Sequence, residues 1–329
     1  MIDWQPLDAL LANVRRAVLT THVRPDGDAL GSELGFRALL RSRGDSVTIV
    51  NPSVTPERYR FLDPDREILS VDAGTDPASF APDLVAVLDT GAWSQLPGME
   101  TFLRTTPAKK IVIDHHRTQD DLGATRFVDV EAAACGMLVR DACRAFKAPI
   151  DAAAATALFA AIATDTGWLR HPNASAQVFA ALGALAACGA DAADIHCRLY
   201  ETNSLGRLRL LGRMLQSLAL DADGRLAFAQ VSHADIVAAG AHPMDTEGFV
   251  GHLTTIEGVE AALLLIEQEG GQSKASVRSK GEVDCSKLAE RWGGGGHRAA
   301  AGATVPWPLA EAAVRLRADL AAALPPAGR

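Results

Sequence analysis

Four short motifs in this chain contain aspartate, and three of them directly follow an apolar run. Residues 17–19 lead into the segment 20–28, residues 84–88 lead into Asp89-Thr90-Gly91, and residues 111–113 lead into Asp114-His115-His116. The fourth motif, Thr164-Asp165-Thr166-Gly167, ends an alanine-rich helical stretch. Because open α/β sheets bind ligands at the carboxyl ends of their parallel strands, we expect these motifs to meet at one sheet edge.

Six side chains of these motifs are candidate metal ligands: His22, Asp26, Asp28, Asp89, His115 and Asp165. Their four carboxylates carry a charge of −4, which two divalent cations would neutralise. Without cations, like charges gathered at one place would repel one another. Oxygen ligands accompanied by imidazole suit Mn²⁺ or Mg²⁺ better than a metal that prefers thiolate. The motifs therefore predict a two-metal site.

Each motif alone has a simpler interpretation. An isolated Asp-x-Asp sequence is usually part of a solvated loop, and Asp-Thr-Gly is as often an Asx-type turn as a ligand. Adjacent histidines are mostly surface or core polar residues. All four motifs occur in one chain, three of them at consecutive predicted strand ends, and this combination favours a shared site.

The segments that must position these residues alternate between strand and helix patterns. Predicted strands cover residues 18–21, 46–50, 84–88 and 110–113, and predicted helices cover residues 29–41, 133–146, 152–163 and 174–188. This alternation predicts an α/β fold with a doubly wound, mostly parallel sheet. Strand-like runs at 226–232, 261–268 and 272–278, with Gly270-Gly271 between the last two, predict a smaller mixed α+β domain. We expect a catalytic metal-binding domain over 1–190, a linker helix over 191–217 and a substrate-binding domain over 218–329.

Composition excludes several classes of protein. The net charge of −8 is unlike that of a protein that grips long nucleic acid, which usually has a basic surface. No apolar stretch approaches the length of a membrane span, and the N-terminus lacks the pattern of a signal peptide. Five cysteines without a C-x-x-C pair favour unpaired thiols in a reducing cytoplasm.

A glycine-rich segment, residues 293–296, precedes His297 and Arg298 near the C-terminus. The alanines 299–301 predict the start of a helix, and glycines before a helix can present N–H groups to a phosphate. A flexible tether is the alternative interpretation. Nearby basic residues exceed the acidic ones and include Lys274, Arg278, Lys280, Lys287, Arg291 and Arg298. For Lys280 and Lys287 a solvated charged face is an equally good interpretation.

Taken together, these motifs resemble the DHH phosphoesterase superfamily, whose name matches Asp114-His115-His116. The segment 293–302 resembles the glycine-rich signature of the accessory domain called DHHA1. The resemblance covers essentially the whole chain and is nearest to the nano-RNase A branch, described as bifunctional oligoribonuclease and pAp phosphatase. One departure is the stretch Ala134-Cys135-Gly136-Met137, where relatives often have a small polar residue followed by Gly-Glu.

The resemblance implies a role for each matching residue. His22, Asp26 and Asp89 would hold one metal, while Asp28, Asp89, His115 and Asp165 would hold the other. Asp114 would orient an imidazole ligand, and His116 would contact the scissile phosphate or assist the leaving oxygen. The residues implied to bind the substrate phosphate are Arg278, Gly294, Gly295, Gly296, His297 and Arg298.

The implied cofactor is a pair of divalent ions, Mn²⁺ first and Mg²⁺ second, in a cleft between the two domains. The implied substrates are short RNA or DNA oligonucleotides such as pNpN, which would be cut to nucleoside 5′-monophosphates, and pAp, which would yield AMP. No membrane partner is expected, and a homodimer is compatible with the resemblance. Alternative enzymes are a RecJ-like single-strand exonuclease, a linear or cyclic dinucleotide phosphodiesterase and a pyrophosphatase-type DHH enzyme. The alternative without catalysis is a nucleotide-sensing module.

Overall fold

Apolar, largely β-branched runs in the first part of the chain form a parallel six-stranded sheet in the computed structural model, which describes residues 2–326. The strands are β1 Arg16–Thr20, β2 Ser46–Asn51, β3 Ile68–Ser70, β4 Leu84–Leu88, β5 Lys109–Asp114 and β6 Thr125–Val128. Their order is β3-β2-β1-β4-β5-β6, and every neighbouring pair is parallel. The chain order therefore reverses between β1 and β4, which is where sheets of this kind bind ligands.

Helices cover both faces of this sheet, as the buried strands require. They are α1 Gln5–Leu11, α2 Gly27–Ser42, α3 Glu100–Thr105, α4 Cys135–Ala145, α5 Ala152–Asp165, α6 Ala176–Ala187 and α7 Ala192–Tyr200. Alternate residues of one strand enter different cores: Leu19 packs with α2, α4 and α5, whereas Val18 packs on the face of α3. Three 3₁₀ turns, Glu57–Leu62, Pro77–Phe80 and Trp93–Gln95, connect these elements.

The close approach of α2 to α5 positions two of the candidate ligands. Gly27 and Gly31 of α2 face Thr164 and Ala161 of α5, so the first turn of α2 lies beside the last turn of α5. A Cβ atom at Gly31 would lie 2.2 Å from the carbonyl oxygen of Ala157. The alanines of α5 therefore pack against the glycines of α2. This close packing brings Asp28 and Asp165 to the same end of the sheet.

The chain divides into two units, the first ending at Thr202 and the second beginning at Asn203. Residues 191–217, predicted as one helix, form two: α7 in the first unit and α8 Leu205–Gln216 in the second. The break has a local cause, because the hydroxyl of Ser204 accepts a hydrogen bond from the Arg207 amide and caps a new helix.

The second unit is built on a mixed six-stranded sheet. Its strands are β7 Ala219–Asp221, β8 Leu226–Val231, β9 Ala261–Gln268, β10 Gln272–Ser279, β11 Gly295–His297 and β12 Ala300–Val305, in the order β11-β12-β10-β9-β8-β7. Only β8 and β9 pair in parallel. The hairpin predicted at Gly270-Gly271 is confirmed, since both glycines have positive φ and Gln268 pairs with Gln272.

Two helical layers cover this sheet. The helices α11 Cys285–Arg291 and α12 Leu309–Ala323 pack on one face, and α8, α9 His233–Ala239 and α10 Val250–Leu253 pack on the other. The helix predicted to start at residues 299–301 is wrong: residues 300–305 form β12 and pair with β10 on one side and β11 on the other. Within residues 2–326, no single helix is long and apolar enough to cross a membrane, and only the pair α6 and α7, bent by 105°, reaches that length together.

Replacing Gly31 by alanine tests the packing of α2 on α5. We expect Gly31→Ala to reduce the free energy of unfolding by about 1–3 kcal/mol, because the new methyl group collides with the backbone of α5. The matched control is Gly183→Ala in α6, where a Cβ atom meets nothing within 4 Å. That change should stabilise the helix by about 0.5–1 kcal/mol. Urea unfolding of both variants measures the contrast, and shifts of the same sign would contradict the packing described here.

Candidate metal centre

The carboxyl ends of β1, β4 and β5 and the last turn of α5 gather the predicted ligands. His22 and Asp26 follow β1, Asp89 follows β4, and His115 follows β5. Asp89 has a φ of 59°, a left-handed conformation that aspartate adopts more readily than most residues. Its amide still donates to the carbonyl oxygen of Ile113, so the strand end stays anchored while the side chain turns toward its neighbours.

Asp89 lies between two groups of potential ligands. Its Oδ2 atom is 3.6 Å from Nε2 of His22, which in turn is 3.8 Å from Oδ1 of Asp26. Its Oδ1 atom is 3.5 Å from Nε2 of His115. The same His115 nitrogen is 3.7 Å from Oδ2 of Asp28 and 3.6 Å from Oδ2 of Asp165. All six predicted ligands therefore come together, and the two oxygens of Asp89 face different groups.

These separations fit residues that share a cation. Two atoms bound to one ion at about 2.1 Å and near right angles to each other lie roughly 3 Å apart, and somewhat farther at wider angles. The observed 3.5–3.8 Å is slightly wider than this and too long for good hydrogen bonds. Oδ1 of Asp89 and Nε2 of His115 are also buried with no hydrogen-bond partner among the described residues. Buried polar atoms of this kind normally have a partner, and a divalent cation would supply it.

Backbone carbonyls fix the orientation of both imidazoles. Nδ1 of His115 is 3.1 Å from the carbonyl oxygen of Ala132, and Nδ1 of His22 is 3.0 Å from that of Val23. A carbonyl only accepts, so each Nδ1 carries a proton and each Nε2 atom faces the carboxylates. This is the arrangement in which histidine binds a metal through Nε2.

Asp28 is held by the beginning of α4. Its carboxylate accepts hydrogen bonds from the amides of Cys135 at 2.7 Å and Gly136 at 2.8 Å, and from the hydroxyl of Ser32 at 3.2 Å. A helix N-terminus favours a negative charge, so α4 offsets part of the effect of burial, which together with the neighbouring carboxylates still raises the pKa of Asp28. Sequence reasoning missed this contact, because residues 28 and 135 are far apart in the chain and amide donors leave no mark in side-chain patterns.

Asp114 lies beside the cluster and is fully buried. Its Oδ1 atom accepts hydrogen bonds from the amides of His115 and His116 and from Nδ1 of His116 at 2.8 Å. The side chain of His116 is 51% exposed, so its other nitrogen can meet a ligand from solvent. The structure thus separates the two adjacent histidines: His115 faces the carboxylates, and His116 faces outward.

Burial and charge together set the proton affinities of the cluster. Burial lowers the pKa of His22, but the carboxylates of Asp26 and Asp89 outweigh it and raise that pKa to about 11. In the same way, burial opposes and the carboxylates, Asp89 foremost, raise the pKa of His115 to about 10. Burial raises the pKa of Asp165 to about 6, whereas the imidazoles overcome burial at Asp89 and hold its pKa at about 2. The cluster by itself therefore retains protons that a divalent cation would displace.

The second unit places two of its predicted substrate residues on one face. Arg278 of β10 and His297 of β11 both pair with Ala300 of β12, from opposite sides. Directly paired residues of an antiparallel sheet point to the same face, and strands are about 4.8 Å apart, so the two side chains flank Ala300. The neighbouring row, which includes Val277 and Ala301, faces the α11 and α12 core. Arg278 and His297 therefore lie on the other face, on a part of it where both residues are exposed.

The glycines beside them serve the hairpin rather than a helix. A Cβ atom at Gly294 would lie 2.1 Å from the carbonyl oxygen of Gly302, and one at Gly296 would lie 2.6 Å from that of Ala300. Gly295 has no such constraint. Arg298 occupies the turn, where its guanidinium donates to the carbonyl oxygen of Gly281 at 3.4 Å. The glycine segment thus makes a flat, side-chain-free strand edge next to His297.

Comparison with known proteins places this architecture in a family. The DHH family N-terminal domain matches residues 16–163, and the DHHA1 domain matches residues 223–323. The Bifunctional oligoribonuclease and PAP phosphatase NrnA of Thermus thermophilus is 32% identical over 312 residues, covering 92% of this chain and 89% of that protein. The chain belongs to the DHH family.

Two further comparisons agree with this assignment. The protein of the same name from Bacillus subtilis is 29% identical over 92% of this chain and 93% of its own length. The crystal structure of an exopolyphosphatase-related protein from Bacteroides fragilis superposes with a TM-score of 0.90 at 26% identity, covering 96% of this chain and 94% of that one. The DHH and DHHA1 assignment made from the sequence motifs is confirmed.

A buried glutamate, Glu33, is linked by hydrogen bonds to the segment that carries His22. The sequence patterns did not predict it. Glu33 of α2 is fully buried, and its Oε2 atom accepts a hydrogen bond from Nδ2 of Asn51 at 2.9 Å. Oδ1 of the same Asn51 accepts from the amide of Thr21, directly before His22. Burial raises the pKa of Glu33 to about 8 in spite of the asparagine, so this carboxyl group is mainly neutral at pH 7.

The raised pKa of Glu33 predicts how stability depends on pH. An unfolded chain releases this proton above about pH 4.5, while the folded chain keeps it up to about pH 8. Stability therefore falls as pH rises through that window. Glu33→Gln cannot ionise, so its free energy of unfolding relative to wild type should increase by several kcal/mol between pH 5 and pH 8. Urea unfolding in the presence of a chelator measures this difference.

The control for this experiment is Glu131→Gln, which changes a glutamate whose side chain is 82% exposed. Its stability relative to wild type should be nearly constant over the same range. A constant difference for Glu33→Gln as well would mean that Glu33 is ionised in the folded protein.

Proposed function

We propose that this protein is a metal-dependent phosphoesterase that hydrolyses very short 5′-phosphorylated oligonucleotides to nucleoside 5′-monophosphates, and pAp to AMP. The observation that carries the proposal is the position of Asp89, whose two oxygens lie 3.5 and 3.6 Å from the imidazoles of two separate ligand groups. A carboxylate shared in this way is typical of two-metal sites that hydrolyse phosphate esters. Family members named for both activities support the choice of substrates.

In this proposal the six clustered side chains are the metal ligands. His22, Asp26 and Asp89 would hold one divalent ion, and Asp28, His115 and Asp165, with Asp89, would hold the other. The ligand atoms of His22, Asp26 and Asp89 converge, as do those of Asp28, His115 and Asp165, and Asp89 lies 3.5 Å from His115. We propose Mn²⁺ as the ion and Mg²⁺ as the alternative, because a set of carboxylates with imidazole suits Mn²⁺ well. When bound, the ions supply a nucleophilic water of lowered pKa and charge stabilisation for the phosphoryl group.

The protein's own residues orient the reacting groups. The carboxylate of Asp114 keeps a proton on Nδ1 of His116, so Nε2 of His116 is directed away from Asp114. The hydrogen bond with Asp114 also raises the pKa of His116, and in the imidazolium form both ring nitrogens carry protons. From its half-exposed position Nε2 can then donate a hydrogen bond to the scissile phosphate or to the leaving oxygen. The carbonyls of Ala132 and Val23 keep the ligand imidazoles from rotating. The reaction is thus prepared by fixed side chains, with little rearrangement needed.

A phosphate anchor on the second unit supports the preference for 5′-phosphorylated substrates. Arg278 and His297 flank Ala300 on an exposed part of one face of the sheet, with Ser276, Gly295 and Gly302 in the next row that points the same way. Small side chains between two cation-bearing residues leave room for a phosphate to approach both. Both pNpN and pAp have a second phosphorus one nucleotide away from the 5′-phosphate, so the two substrates share the same spacing between their phosphorus atoms.

A substrate series with Mn²⁺ tests the proposal. We expect fast cleavage of pApA and pAp, slower cleavage of a five-nucleotide RNA, and little activity on a long single strand, pyrophosphate or cyclic di-AMP. Asp89→Asn is the inactive control: it removes the shared charge, while asparagine tolerates the same left-handed backbone. Preference for the long strand would favour a RecJ-like exonuclease, and preference for pyrophosphate would refute the role of the second unit. Binding without turnover of any of them would indicate a nucleotide sensor.

Removal of the Arg278 guanidinium tests the anchor. Arg278→Ala should raise KM for pApA by about tenfold to a hundredfold and leave KM for unphosphorylated ApA nearly unchanged, because a charge-assisted hydrogen bond to phosphate is lost. Lys287→Ala is the matched control, since Lys287 is an exposed cation of the same unit on α11. Initial-rate kinetics on both substrates measure the effect. An equal rise in KM for pApA and ApA would show that Arg278 does not bind the 5′-phosphate.

A further inference from the structure

Gln119, which belongs to none of the four motifs, makes a close contact with the centre. Its Nε2 atom donates to Oδ2 of Asp114 at 2.5 Å and to the carbonyl oxygen of His116 at 3.2 Å. The other oxygen of Asp114, Oδ1, takes all the remaining hydrogen bonds of that carboxylate, from His115 and His116. Among the residues 2–326, Gln119 is therefore the donor that anchors Oδ2 of a fully buried carboxylate.

The carboxylate of Asp114 decides between two positions for His116. Nδ1 of His116 is 2.8 Å from Oδ1 of Asp114 but also 3.6 Å from Oδ1 of Asp89. Asp89, His115 and His116 are close enough to form a third group that could hold a cation. If Asp114 rotated away, the proton on Nδ1 of His116 would lose its acceptor, and the ring could release this proton and turn Nδ1 toward that group. Its Nε2 would then no longer be available to the substrate.

The position of Gln119 is itself tightly defined by the second motif. Gly91 pairs with Gln119 in a parallel bridge, and a Cβ atom at Gly91 would lie 2.1 Å from Oε1 of Gln119. That Oε1 atom is buried without a hydrogen-bond partner among the described residues. Only the orientation with the NH₂ group toward Asp114 is favourable, because an ionised carboxylate accepts and cannot donate. The glycine of Asp89-Thr90-Gly91 thus makes the space that this amide needs.

We propose that Gln119 is a positioning residue: by anchoring Oδ2 of Asp114, it keeps Nδ1 of His116 on Asp114 and away from Asp89, so that Nε2 of His116 faces the substrate. The inference rests on the function proposed above for His116. It assigns a physical role to a residue outside the DHH triplet and to Gly91, which packs against it. The energetic cost of losing this donor is high because Asp114 has no solvent to replace it.

Gln119→Met tests this role, since methionine keeps the length and volume of glutamine and removes the donor. We expect kcat for pApA to fall by about tenfold to a hundredfold, the effect of losing a hydrogen bond to a charged acceptor, with KM changed less than twofold. The number of Mn²⁺ ions bound, measured by calorimetric titration, should be the same as in wild type. Thr118→Ala, at an exposed neighbouring position, is the matched control and should leave kcat unchanged.

A second measurement is independent of turnover. In ¹⁵N-histidine-labelled protein treated with chelator, the Nδ1–H resonance of His116, identified by its loss in His116→Gln, should exchange slowly with solvent in wild type. It should exchange fast or disappear in Gln119→Met. Gly91→Ala, which displaces the amide from the opposite side, should produce the same spectral change while Gln119 itself is retained.

The two measurements together decide the inference. A wild-type kcat in Gln119→Met would overturn the inference, because Gln119 would then have no role in turnover. A lower kcat with an unchanged His116 resonance would also overturn it, because Gln119 would then act only through packing. If wild-type protein fails to hydrolyse pApA, the proposed function fails. The His116 spectrum still decides whether Gln119 holds the Asp114–His116 pair.

Discussion

Mutual repulsion among carboxylates at one sheet edge is the constraint that organises the first unit. Asp28, Asp89 and Asp114 are almost completely buried, and Asp165 is two-thirds buried, within one small region. The three most buried ones are each compensated by different groups: α4 amides at Asp28, imidazoles at Asp89, and amides with Gln119 at Asp114. The carboxylates also raise the pKa of His22 and His115, so these imidazoles keep protons between the carboxylates. A divalent cation is the natural replacement for those protons.

The helix pair α2 and α5 makes that concentration of charge possible. The first turn of α2 carries Asp28 and the last turn of α5 carries Asp165, so the distance between these ligands depends on how closely the helices approach. At Gly31 the two helices are so close that a Cβ atom there would collide with the backbone of Ala157. Any side chain at residue 31, even a methyl group, would push the two helices apart and with them the carboxylates. Packing far from the chemistry therefore sets the geometry of the centre.

The sequence predicts where the candidate ligands lie because they occupy positions that local patterns define. An apolar run followed by aspartate or histidine specifies both a strand and the end of that strand, so His22, Asp89 and His115 could be placed without knowing the tertiary structure. The contacts that orient them are not local: Cys135 to Asp28, Asn51 to Glu33, and Gln119 to Asp114. The error at residues 299–301 has a similar origin. Alanines favour a helix, but pairing with β10 and β11 overrides that weak preference.

The departure at residues 134–137 also has a physical explanation in these contacts. The resemblance predicts a small polar residue where this chain has Cys135, yet the group that binds Asp28 is the Cys135 amide. The thiol donates instead to the carbonyl oxygen of Ile113 at 3.2 Å, so it is satisfied inside the protein. Gly136 is the constrained position, because a Cβ atom there would lie 2.7 Å from that of Ala161. Changing the side chain at residue 135 therefore preserves the two amides that stabilise Asp28, whereas a larger residue at 136 would move α4 away from them.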